Sequence, residues 1–167
     1  MSVYDKKTDE EKAHWYSSGA QFYVEGRPRY PVALAKAAAA VAEWRQHSRV
    51  LEIGSGPGTA TQDFAALGGN FVCVEPNADF VAIAREVLAG FSGLSFQTST
   101  LEQAELSSPF DIVLAASSFH WIDQKRGVQR IEELLVPNGF VVLLWNKEPQ
   151  PMAHQAEAVE HAFKLSD

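Results

Sequence analysis

The chain has 167 residues, 46% of them hydrophobic and 21% charged, the length and balance of one globular domain, which excludes disordered and collagen-like classes. Fourteen Lys and Arg against 21 Asp and Glu leave a formal net charge of -7. Such a field repels phosphate backbones and anionic lipid, so neither nucleic acid nor a membrane is expected as a partner. Cys73 is the only cysteine, which excludes an intramolecular disulfide and a cysteine-rich metal site and suits a reducing compartment. The first residues, with Lys6, Lys7, Asp9, Glu10 and Glu11, lack the apolar core of a signal peptide, and no apolar run approaches the roughly 18 residues of a membrane span. A cytoplasmic protein is expected.

In chain order, the N-terminal segment carries Trp15, Tyr16, Phe22, Tyr23 and Tyr30, enough aromatics for a docked lid or arm. Pro31 opens an alanine-rich helix over 31–44. Short β-branched runs then alternate with helical ones, the pattern of a parallel sheet covered by helices. Residues 49–53 read as a first strand, ended by GSGPG and followed by a helix through Thr61, Phe64, Ala65 and Leu67 that stops at Gly68-Gly69. A second strand over 71–74 ends at Glu75-Pro76, and Asn77 caps a helix with Phe80, Ala84, Val87 and Leu88 on one face. Residues 94–98 form a third strand, 99–109 a loop or short helix, and 110–114 a fourth strand apolar enough to be buried on both faces. Asp123 caps a helix with Val128, Ile131 and Leu135 in register, and the turn Pro137-Asn138-Gly139 releases a fifth strand over 140–145. Met152, Ala156, Val159 and Phe163 stand at helical spacing in the tail. The expected fold is α/β, a doubly wound, mostly parallel sheet in a single domain: 1–47 lid and helices, 48–146 βα core, 147–167 C-terminal helix.

The glycine-rich turn from Gly54 to Gly58 lies between a strand and a helix, where missing Cβ atoms let a ligand approach the backbone and the helix offers free N–H groups. Glu75 stands at the end of the next strand, 21 residues after Gly54, where a carboxylate can accept both hydroxyls of a ribose. The dinucleotide fingerprint G-x-G-x-x-G would need glycine where Thr59 stands; Gly54, Gly56 and Gly58 make G-x-G-x-G instead. Pro57 also lacks an N–H where pyrophosphate recognition gains from one. A nucleoside cofactor without pyrophosphate is favoured over NAD.

VLEIGSGPGTAT, VCVEPN, FDIVLAASSFHWID and LLVPNGFVVLLWN, with YVEGRPRYP ahead of them, resemble the class I S-adenosylmethionine-dependent methyltransferases. The resemblance is to the small-molecule branch that includes trans-aconitate methyltransferase-like proteins. It implies a Rossmann-like fold, S-adenosylmethionine as cofactor and a small-molecule acceptor. It places Gly54, Ser55 and Gly56 at the cofactor's methionine part, counts Gly58 with them among the cofactor-binding residues, and sets Glu75 at the ribose, with Pro76 and Asn77 beside the adenine. Leu101 and Glu102 are implied on the adenine side, in a stretch where many relatives have aspartate at the place of Thr100. Ala115 and Ala116 fall near the cofactor's amino group and methyl donor. Arg27, in the N-terminal signature, is expected to reach the cofactor's carboxylate or an acidic acceptor.

Methyl transfer from a sulfonium is an in-line displacement, so holding the acceptor near the methyl carbon and excluding water are the main tasks. A base serves only an acceptor that must lose a proton. His120, after the fourth strand between Phe119 and Trp121, is the candidate base; the alternative is that this cluster packs the loop onto the next helix. His14, His47, His154 and His161 show no metal-ligand spacing with carboxylates, and no metal is expected. The family's sheet has seven strands and this chain carries five. It is expected to be the N-terminal part of a longer enzyme, or else to cover the fifth strand with its own tail or with a second copy, as a homodimer. A non-catalytic cofactor-binding or assembly module is the rival reading.

Overall fold

The computed structural model describes residues 29–107 and 109–146. The expected lid, with Arg27, and the expected C-terminal helix lie outside the described residues. Within them are strands β1 (Arg49–Ile53), β2 (Asn70–Val74), β3 (Leu94–Gln97), β4 (Phe110–Ala116) and β5 (Leu135–Leu144), and helices α1 (Val32–Val41), α2 (Thr59–Ala65), α3 (Ala78–Val87) and α4 (Gln124–Leu134). The strands form one parallel sheet in the order β3-β2-β1-β4-β5. The doubly wound α/β expectation is met.

Alternation along the central strands divides the core in two. Val50, Phe71, Cys73, Ile112 and Leu114 face one layer with Tyr30, Ala35, Ala60 and Phe64, which belong to α1, α2 and the approach to them. Leu51, Ile53, Val74, Val113 and Ala115 face the other with Leu101, Ile131 and Leu134. β4 is buried over most of its length, as its unbroken apolar run requires.

Local packing moves several expected boundaries and faces. α1 stops at Val41 instead of running to Trp44: Glu43 takes a left-handed φ of 50°, and the N–H groups of Glu43 and Trp44 close back on the carbonyls of Ala40 (3.4 Å) and Ala39 (2.9 Å). This stop turns Trp44 inward, where its Nε1 donates to the Gly68 carbonyl at 2.9 Å and its ring packs on Phe64 and Phe71. On α3 the buried face is Phe80, Val81, Ala84 and Leu88, with Val87 exposed. On α4 the face is shifted by one residue, to Gly127, Ile131 and Leu134, leaving Val128 exposed. Ile122 packs against that face at Gly127, its Cδ1 2.7 Å from where a Cβ on residue 127 would stand.

β5 begins at Leu135, directly after α4, and ends at Leu144, short of Trp145. The expected turn is a bulge inside it: pairing jumps from Phe110–Leu135 to Ile112–Phe140, and Asn138 takes a φ of 64°. Residues 99–109 hold turns and no helix among those described. No helix among the described residues is long and apolar enough to cross a membrane.

Candidate functional site

The connections from β1 and from β4 lead to opposite sides of the sheet, so a crevice opens beyond the carboxyl ends of these neighbouring strands. The glycine loop leaves β1 at this point. It is tied down by the N–H groups of Gly54 and Ser55, both donating to the Val74 carbonyl, at 2.7 and 3.3 Å. Its three glycines all have positive φ but separate tasks. A Cβ on Gly54 would stand 2.6 Å from Ser118 Cβ, and one on Gly58 would stand 2.7 Å from Leu88 Cδ1, so these two permit close packing. Gly56 has no heavy atom within 4 Å of that position; its face is open.

Glu75 joins the loop to the end of β2. Its Oε2 accepts the Gly56 N–H and its Oε1 the Asn77 N–H, each at 2.9 Å. The residue is 7% exposed. Burial pushes its carboxyl above the usual range, while the two N–H groups pull the other way. Asn77 is fixed in turn by capping α3, its Oδ1 accepting from the N–H groups of Asp79 (2.9 Å) and Phe80 (3.2 Å). The buried Oγ of Ser55 and Oγ1 of Thr100 have no hydrogen-bond partner. An open glycine face, a held carboxylate and orphaned hydroxyl groups fit a ribose-bearing ligand.

Pro76 is half-buried beside Glu75. The side chain of Leu101 is buried in the core beneath the carboxyl edge, and Glu102 is exposed, its Oε1 accepting the Asp123 N–H at 3.4 Å. Ala115 is buried and Ala116 half-buried at the end of β4. His120 is exposed on the 3-10 turn Phe119–Trp121, its ring 5.3 Å from that of Trp121. Among the described residues no group of three or more His, Cys, Asp or Glu is placed to hold a metal ion.

Two groups were not singled out by sequence reasoning. Glu52, 1% exposed in β1, has its Oε2 3.9 Å from the Cys73 Sγ. Burial pushes its carboxyl up to about 8, with the Glu75 charge adding to the shift. Ser117 and Ser118 follow β4, and Ser118 Oγ donates to the Ile53 carbonyl. A charged residue amid VLEIG and a serine pair ending an apolar strand were the available signals.

A family model described as Methyltransferase domain matches residues 51–141. An uncharacterised methyltransferase of Mycobacterium tuberculosis is 29% identical over 150 residues, which cover 87% of this chain and 57% of that protein. A ubiquinone biosynthesis O-methyltransferase of Bradyrhizobium is 32% identical over 97 residues, 57% of this chain and 38% of that one. Among solved structures, the YcgJ protein from Bacillus subtilis superposes with a TM-score of 0.61 at 25% identity, covering 80% of this chain and 58% of that one. The chain thus spans little more than half the length of the mycobacterial relative. It belongs to the family of class I S-adenosylmethionine-dependent methyltransferase domains.

Proposed function

We propose that this chain binds S-adenosylmethionine in the crevice between β1 and β4 and serves methyl transfer to a small-molecule acceptor. The observation that carries the reading is the Glu75 carboxylate, held by the Gly56 N–H beside the open face of that glycine. When bound, the cofactor supplies an electrophilic methyl group on a sulfonium. Glu75 accepts its ribose hydroxyls, since each carboxylate oxygen has acceptor capacity beyond its one backbone N–H. Gly54, Ser55 and Gly56 pass beneath the methionine part. Pro76 and Asn77, with Glu102 and the backbone at Leu101, border the adenine. Ala115 and Ala116 bound the methyl end, and Arg27 pairs with a carboxylate of cofactor or acceptor. His120 takes the proton when the acceptor is a hydroxyl.

The small-molecule acceptor, the trans-aconitate methyltransferase-like branch and a cytoplasmic setting belong to this proposal, as does a homodimer through the edge of β5. The acidic charge balance and the ubiquinone-pathway relative support a small acceptor over nucleic acid. Incubation with methyl-labelled S-adenosylmethionine and a fractionated cell extract tests it. Label in the small-molecule fraction is expected; label on protein or nucleic acid would overturn the acceptor class, and binding without any transfer would favour the non-catalytic module.

A further inference from the structure

Three non-glycine residues among those described have a left-handed φ, and two have ordinary reasons. Glu43 ends α1, and Asn138 sits in the β5 bulge with a side chain that tolerates this conformation. Ser117, at φ 57°, closes no helix, and serine gains little there where asparagine or glycine would serve. Strain held at the carboxyl end of a strand, beside a binding crevice, points to a task for that residue.

The contacts around Ser117 indicate the task. Its N–H donates to the Leu144 carbonyl at 2.7 Å, so β4 stays paired with β5 up to the kink. Its Oγ accepts the Asn146 N–H at 3.2 Å and shares a hydrogen bond with the Tyr30 hydroxyl at 2.8 Å. Tyr30 is otherwise buried, its ring in the core layer beneath α1 and α2. One residue back, Arg29 pairs with the buried Asp63 of α2. One residue on from Ser117, Ser118 reaches the Ile53 carbonyl and fills the space that a side chain on Gly54 would need. The Ser118 carbonyl then accepts the Trp121 N–H at 2.9 Å, starting the turn that carries His120. Ser117 thereby ties the chain entering α1 to the end of β5, and Ser118 beside it ties the root of the glycine loop to the His120 turn.

We propose that Ser117 is a positioning residue: its left-handed turn and its hydrogen bond to Tyr30 pin the segment entering α1 across the carboxyl edge of the sheet, which holds the cofactor crevice in its binding shape. This rests on the S-adenosylmethionine reading, since the crevice is the one assigned there. Both ends of the pin can be cut with little damage to packing. Tyr30→Phe keeps the buried ring and removes only the hydroxyl. Ser117→Gly removes the hydroxyl while relieving the left-handed backbone, which offsets part of the cost of the lost hydrogen bonds.

Two readouts, each on wild type, both single variants and the double variant, test the pin. In calorimetric titration with S-adenosylhomocysteine, each single variant is expected to bind about five- to tenfold more weakly, with the double variant no worse than Ser117→Gly alone, because Tyr30→Phe removes only the bond the two residues share while Ser117→Gly also releases the Asn146 N–H. In limited trypsinolysis without ligand, cleavage is read after Arg29, because Arg27 precedes Pro28 and resists cutting; it is expected to quicken several-fold in each single variant and no further in the double than in Ser117→Gly. Unchanged affinity in variants of a chain that binds would overturn the proposal, as would unchanged cleavage. A wild type that fails to bind S-adenosylhomocysteine would instead overturn the cofactor reading, and the cleavage rates alone would then decide the pin.

Discussion

A carboxyl group sits in the middle of the sheet at Glu52, register-paired with Cys73 on β2 and with Leu114 on β4. Its side chain meets the Cys73 thiol and the Glu75 charge, and no cation among the described residues is paired with it. An ionised carboxylate is costly in such a place, so the group keeps its proton until the pH nears about 8. In the unfolded chain it loses the proton near 4.5. Between these limits the folded state binds the extra proton, and stability falls as pH rises, by about 1.4 kcal/mol per unit for one such group. Glu75, also shifted upward, adds to the trend in the same sense. Glu52→Gln mimics the protonated form and removes the first contribution. Urea unfolding at pH 5, 6.5 and 8 is therefore expected to show the variant gaining on wild type as pH rises; a constant difference would mean that Glu52 is ionised in the fold.

At the scale of elements, α3 is set by its cap. Asn77 satisfies two N–H groups of the first turn while its own N–H holds Glu75, so the helix start and the site carboxylate are one construction. Asn77→Ala is expected to cost about 1 kcal/mol in chemical denaturation, and also to loosen ligand binding, because the backbone that orients Glu75 loses its anchor. Loss of stability with binding untouched would separate the two. This local economy is why the region was legible: strand, acid, cap and helix follow one another within a few residues. β1, the glycine loop and the buried run of β4 were readable for the same reason. What escaped was decided by contacts distant in sequence or by competition between neighbours. The buried face of α4 includes Gly127, with Ile122 packed against it, and a glycine carries no signal in hydrophobic spacing. The Tyr30–Ser117 bond joins residues 87 apart, and no local pattern announces it.

At the scale of the whole molecule, the strand order makes the site. Placing β1 and β4 side by side brings the glycine loop, Glu75 and the Ser117-Ser118 kink to one end of the sheet from widely separated stretches of chain. The two core layers pack against both faces of those strands, and Glu75, Ser117 and Ser118 stand just beyond the carboxyl ends of β2 and β4. In the proposed binding mode this end of the sheet receives the ribose and methionine of S-adenosylmethionine, with Glu75 as the ribose carboxylate. The most direct measurement is isothermal titration with S-adenosylhomocysteine, with NAD as control, on wild type and on Glu75→Ala. Micromolar binding of S-adenosylhomocysteine alone is expected, weakened about ten- to a hundredfold in the variant as charge-assisted hydrogen bonds are lost, with the fold kept. Equal affinity in the variant, or binding of NAD in place of S-adenosylhomocysteine, would contradict it.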